Sequence, residues 1–272
     1  MLIRLGYDIR FDIQAPVPMV ALLNVHPSRL QDLREEDRLK IEPEVPFEDY
    51  RDVFGNIATR FMAPEGSIRL VNSTLIEDSG QPDPVCPNAR EVPVGDLPPE
   101  TLRYLMSSRF CEVDLLSPIA VELFGDTPRG WARVEAICTW VNTKVTFNYA
   151  QARSTRTALD VFTERVGVCR DFQHLAITFC RAMNIPARYT AGYLGDIGVT
   201  LPPSPMDFSA WFEAYLEGRW WTFDARHNKP RIGRVLLATG LDATDVAITT
   251  SFGASKLTHF HVVTDEIVQG RT

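Results

Sequence analysis

Gly167-Val168-Cys169-Arg170-Asp171-Phe172-Gln173-His174-Leu175 places a cysteine where a helix should begin. Phe172, Leu175, Ala176 and Phe179 recur at helical spacing behind it, and Gly167 supplies a permissive turn just before. A thiol in that first turn meets the positive end of the helix dipole and unpaired backbone N–H groups, both of which are expected to lower its pKa. Downstream, Asn184-Ile185-Pro186-Ala187-Arg188-Tyr189 reads as a helix end running into a strand. Ser209-Ala210-Trp211-Phe212-Glu213 and Trp221-Thr222-Phe223-Asp224 read as two further strands. A cysteine at a helix start, followed by strands able to carry a base and a carboxylate, is the layout of a thiol-nucleophile site.

Upstream of that helix the periodicity changes. From residue 2 to about residue 80 it is mostly two: Ile3, Leu5, Tyr7, Ile9 and Phe11 alternate with polar or small residues, and short strands are predicted at 19–25, 38–43, 56–63 and 67–74. Residues 1–85 therefore read as a small antiparallel sandwich-like domain. Residues 86–100 read as a proline-rich extended linker. In residues 101–272 helices are predicted at 99–106, 118–124, 128–145, 157–164 and 169–183, then strands at 187–194, 208–216 and 219–224, with two more at 245–251 and 259–265. Helices first and an antiparallel sheet second is an α+β pattern. A turn at Glu217-Gly218 predicts Ser209 beside Asp224, Trp211 beside Thr222 and Glu213 beside Trp220, and a slip of one residue pair would keep the same face.

Composition bounds the function. The chain has 272 residues, 45% hydrophobic and 23% charged, with a formal net charge of −7. That charge argues against a nucleic-acid partner and gives no polybasic membrane signal. The N-terminus alternates like a strand and lacks the apolar core of a signal peptide, and no segment is long and apolar enough to span a bilayer. Five cysteines, at 86, 111, 138, 169 and 180, are scattered without paired spacing. They are expected to be reduced thiols of a cytoplasmic protein, and no metal or cofactor is expected because no ligand pair has suitable spacing.

Arg165-Val166-Gly167-Val168-Cys169-Arg170-Asp171-Phe172, Ile185-Pro186-Ala187-Arg188-Tyr189 with Gly192-Tyr193, and Ala210-Trp211-Phe212-Glu213 with Phe223-Asp224 resemble the signatures of the transglutaminase-like superfamily. The similarity is to its bacterial branch of cysteine-protease candidates and covers roughly residues 100–250. It implies a papain-like, transglutaminase-like core of helices packed on an antiparallel sheet, preceded by a small β-sandwich-like domain. It also implies that Cys169 is the nucleophile and Asp224 the carboxylate that orients a histidine base. The family's histidine position is occupied by Ser209, whose hydroxyl cannot accept and return a proton near neutral pH as an imidazole does.

The chain offers five histidines for that part. His174 lies about 140° round the helix from Cys169 and is expected to point away as a core or supporting residue. His227 follows Asp224 within Arg226-His227-Asn228-Lys229-Pro230; a bend could return it to the sheet edge as a substitute base, or it is an exposed loop residue. His259 and His261 share a solvated strand face, and His26 is expected in a surface loop. For the motif residues, the structural alternatives are a buried core thiol at Cys169 and a strand-end turn carboxylate at Asp224. The expected function is a cysteine-dependent hydrolase or acyltransferase acting on an amide or isopeptide carbonyl of a peptide-like substrate. Hydrolysis is favoured over cross-linking, since no acidic calcium loop is evident. The alternative is a non-catalytic binding or assembly module that keeps the cleft and has lost the base.

Overall fold

The computed structural model describes residues 1–199 and 206–267. In chain order it forms β1 (Leu2–Ile13), β2 (Val17–Ala21), β3 (Lys40–Glu42), β4 (Phe47–Arg51), β5 (Ile57–Ala63) and β6 (Gly66–Glu77). The helical part follows with α1 (Val113–Phe124), α2 (Trp131–Lys144), β7 (Thr146–Phe147), α3 (Ala158–Glu164), β8 (Val166–Gly167) and α4 (Cys169–Ala182). The remaining strands are β9 (Ala187–Leu194), β10 (Ser209–Leu216), β11 (Arg219–Phe223), β12 (Arg234–Gly240), β13 (Thr249–Ser251) and β14 (Ser255–Glu266).

These strands make three four-stranded sheets, ordered β14-β1-β6-β3, β13-β2-β5-β4 and β11-β10-β9-β12, together with the short parallel pair β7-β8. The fold is α+β, as the change of periodicity predicts. One hydrophobic core gathers α1, α2 and α4 against the inner face of the β9–β12 sheet, with Phe179, Leu175, Phe212 and Ala214 at its centre. A second fills the space between the two leading sheets and takes in Tyr193, Val235 and Leu237 from the outer face of the β9–β12 sheet. That sheet is therefore buried on both sides, which its nearly unbroken apolar runs reflect.

Several expectations change. The strands expected at 245–251 and 259–265 do not extend the core sheet: β13 pairs with β2, and β14 runs antiparallel along the whole of β1. Four strands escape the sequence reading: the two-residue pair β7 and β8, and the longer β4 and β12. β4 is exposed at every position and so has no alternation, and β12 follows a turn marked only by Gly233. α1 starts at Val113, five residues before Pro118, the residue taken for its first turn. The β10–β11 hairpin is slipped by one residue pair, setting Glu213 opposite Thr222 and Tyr215 opposite Trp220. The proline-rich stretch 86–100 is not simply extended: it carries a 3₁₀ turn at Val94–Asp96 and begins another at Pro99, and its Ala89 carbonyl accepts from Trp131 at 2.9 Å. In the proline-flanked strap just ahead of it, Pro82 bridges Ile232 and the Asp83 N–H donates to the Arg231 carbonyl at 2.9 Å.

Candidate active site

Local chemistry fixes the start of α4. The Asp171 carboxylate turns back to accept the Val168 N–H at 2.9 Å, and it pairs with Arg156 at 3.3 Å and Arg170 at 3.2 Å. Gly167 is required because a Cβ there would lie 2.6 Å from Asp171 Cβ. The cap holds Cys169 at the first helical position, partly exposed at the edge of the core. Burial raises the Cys169 thiol pKa above its ordinary value; the Arg226 charge pulls it down, Asp207 pushes it up, and the Arg170 N–H favours the thiolate. The expectation of a depressed pKa is thus reversed, because desolvation outweighs the helix terminus and the nearby cation. All five cysteines are free thiols.

Asp224 lies immediately after β11 and is buried. Its Oδ1 accepts from Gln173 Nε2 and from the backbone N–H groups of Arg226 and His227, each at 3.0 Å. Its Oδ2 meets His227 Nδ1 at 2.8 Å and Arg234 Nη2 at 2.9 Å. Burial alone would raise this carboxyl, but the Arg234 charge and the His227 hydrogen bonds outweigh it and hold the group well below the ordinary carboxylate range.

The segment after Asp224 folds back on itself, so His227 is not a free loop residue. Asn228 N–H donates to the Asp224 carbonyl at 2.8 Å, with Asn228 at φ 49°. From α2, Asn142 Nδ2 holds the Arg226 carbonyl at 2.7 Å. An ionised Asp224 can only accept, so His227 Nδ1 carries the shared hydrogen, and in the neutral imidazole that arrangement leaves the Nε2 lone pair free. The His227 side chain is 14% exposed and lines a cleft of about 80 Å³ with Ser209, Arg226, Asp207, Tyr149 and Phe208. Cys169 is not among the residues lining this cleft, but Arg226 and Asp207, which are, act electrostatically on its thiol. Ser209 Oγ is buried and makes no hydrogen bond among the described residues.

The remaining histidines sit elsewhere. His174 is fully buried, stacked on Phe110, and its Nε2 accepts the Ala243 N–H at 3.1 Å. His259 and His261 are exposed on β14. His26 lies in a loop of the first domain, partly exposed, and caps a short 3₁₀ turn by accepting the Ser28 N–H at 3.2 Å. Trp211 packs on the outer face of its sheet against Gly192 and under the Arg234 guanidinium, 5.0 Å from the ring centre. The Asn148 backbone N–H is occupied by the Gly167 carbonyl at 3.0 Å and so is not open to an oxyanion.

Sequence reading missed Gln173 and Arg234, the two side chains that clamp Asp224. Gln173 had a signal: it lies one turn beyond Cys169 on the same helix face. Arg234 had none, because its strand was not recognised.

Three comparisons bear on this geometry. The family profile described as transglutaminase-like superfamily matches residues 119–225. The solved structure described as "a Putative Cysteine Protease from Cytophaga hutchinsonii" superposes with a TM-score of 0.85 at 31% identity, over 100% of this chain and 92% of that one. An uncharacterized protein of Mycobacterium leprae (strain TN) is 31% identical over 120 residues, and the match spans 42% of this chain and 42% of that relative's length.

Proposed function

Because this chain belongs to the transglutaminase-like superfamily, we propose that Cys169, His227 and Asp224 form a thiol–imidazole–carboxylate triad acting on an amide or isopeptide carbonyl of a peptide-like substrate. The observation that carries the proposal is the 2.8 Å contact between His227 Nδ1 and Asp224 Oδ2. It supplies an oriented imidazole on the carboxylate that the family motif marks, although Ser209 occupies the family's histidine position. In this reading the base is reached from the turn after β11 instead of from the start of β10.

His227 Nε2 takes the proton of the Cys169 thiol, and the sulfur attacks the carbonyl carbon to form a C–S bond. The carbonyl oxygen gathers negative charge beside the Cys169 backbone N–H. The C–N bond then breaks as the imidazolium returns its proton to the leaving amine, giving a thioester. Water, or an acceptor amine, attacks that thioester while Nε2 removes its proton, and the thiol is released. The raised thiol pKa fits this order of events, because the thiolate forms with the imidazolium during attack and is not stored at rest.

The test is pre-steady-state acylation by a panel of p-nitrophenyl acyl esters, with the adduct located by mass spectrometry. A stoichiometric p-nitrophenol burst on Cys169 is expected, slowed about 10²–10⁴-fold in His227→Gln. A burst of equal rate in His227→Gln would remove His227 from the mechanism. A burst seen only after Ser209→His would favour the non-catalytic module.

A further inference from the structure

Arg234 bridges two carboxylates. Its Nη2 donates to Asp224 Oδ2 at 2.9 Å, and its Nε donates to Asp83 Oδ2 at 2.8 Å. The Asp224 oxygen is the one that holds His227 Nδ1 at 2.8 Å. The Arg234 and Asp224 side chains are only 7% and 2% exposed, so solvent screens the pair little. Asp83 belongs to Pro82-Asp83-Pro84, where a proline on either side restricts the backbone, and its Oδ2 also accepts the Arg231 N–H at 2.9 Å. Trp211 covers the guanidinium face.

We infer that Arg234, braced by Asp83 of the proline-rich strap, is a positioning residue that fixes the Asp224 carboxylate and limits how tightly His227 holds its proton. The inference rests on the proposed triad only in treating His227 as its base. One carboxylate oxygen serves both the guanidinium and the imidazole, so negative charge spent on Arg234 is not available to stabilise an imidazolium. Asp83 acts in the opposite sense by drawing the guanidinium charge toward itself. His227 shares its cleft with Arg226 from its own turn and with Asp196, Asp207, Tyr149 and Arg231, and the Arg226 and Asp207 charges also act on the Cys169 thiol. Of these, Arg231 is tied to the substituted residues, through its N–H on Asp83.

The experiment is an NMR titration of the imidazole carbons in full-length, histidine-labelled protein, with the His227 signal identified as the one lost in His227→Gln. Arg234→Met should raise the His227 midpoint by about one pH unit, Arg234→Lys should restore most of the wild-type value, and Asp83→Asn should lower the midpoint. Unchanged midpoints, or shifts of the same sign in Arg234→Met and Asp83→Asn, would overturn the inference. If Arg234→Met does not fold, Asp83→Asn decides alone: a lowered midpoint supports the coupling, and an unchanged or raised one refutes it. The ester burst separates this result from the triad itself. Opposed titration shifts without a burst would sink the triad and leave the coupling standing, while a His227-dependent burst without shifts would do the reverse.

Discussion

His174 lies between Phe110 and Tyr189, each ring centre 5.0 Å away, and burial lowers its pKa to about 3 although Asp242 pulls the other way. An unfolded histidine binds its proton near pH 6.5. The folded value is below the unfolded one, so the stabilisation is fully present above about pH 6.5 and is lost as the pH falls toward about 3. Urea midpoints should therefore drop on acidification, with this residue contributing a slope of about 1.4 kcal/mol per pH unit below about pH 6. His174→Phe keeps the stacking and should flatten that part of the slope, while costing about 1–3 kcal/mol at pH 7 because the Ala243 N–H loses its acceptor. His26, also lowered by burial to about 4, retains the remaining histidine slope in the variant. An equally steep acid limb in His174→Phe would contradict the assignment. That His174 turns away from Cys169 follows from helix geometry and is readable from sequence. The return of His227 to Asp224 is not, because it depends on one carboxylate accepting two backbone N–H groups and a ring nitrogen at once.

At the scale of elements, α4 was legible because nearly all of its signals are local: a permissive glycine, an acid at the third position, and apolar residues around most of its surface. What the sequence did not display is the second guanidinium on Asp171, beyond that of the adjacent Arg170. Arg156, fifteen residues earlier, reaches that carboxylate from the segment before α3 with its own side chain only 3% exposed. Asp171→Ala would remove the acceptor of the Val168 N–H and leave a buried guanidinium with Glu164 as its remaining acidic partner. A loss of about 3 kcal/mol in urea denaturation is expected, with Asp171→Asn costing less because it keeps a carbonyl acceptor. Equal stability of Asp171→Ala and wild type would mean that the cap does not hold the helix start. The hairpin shows the opposite case. Its strands and turn were legible, but the alternation of Trp211, Glu213, Thr222 and Trp220 fits two registers a residue pair apart, so side-chain pattern alone could not choose between them.

Across the whole molecule, the late strands were recognisable as strands, yet their partners were not, because pairing between residues 9 and 260 leaves no mark in local periodicity. The consequence is mechanical. β14 completes the leading sheet and passes directly over the loop after β9, where a Cβ on Gly195 would lie 2.4 Å from the Thr264 carbonyl oxygen. Tyr193, Val235 and Leu237 carry the outer face of the β9–β12 sheet into the second core, so the two cores share one sheet. They should unfold as one unit. All five tryptophans lie between residues 131 and 221, so their fluorescence reports the helices and the β9–β12 sheet, whereas amide exchange at β1 and β14 reports the sandwich. Gly195→Ala pushes on the β14 backbone and should cost about 2 kcal/mol, comparable to overpacking elsewhere in protein interiors. If the cores are coupled, tryptophan fluorescence and β14 amide protection will lose the same stability in this variant, although no tryptophan touches the altered residue's new methyl group among the atoms nearest to it. Loss of protection along β14 with an unchanged fluorescence midpoint would show instead that the sandwich opens alone, and that the strap carrying Asp83 can hold Arg234 against Asp224 without the rest of the β-region behind it.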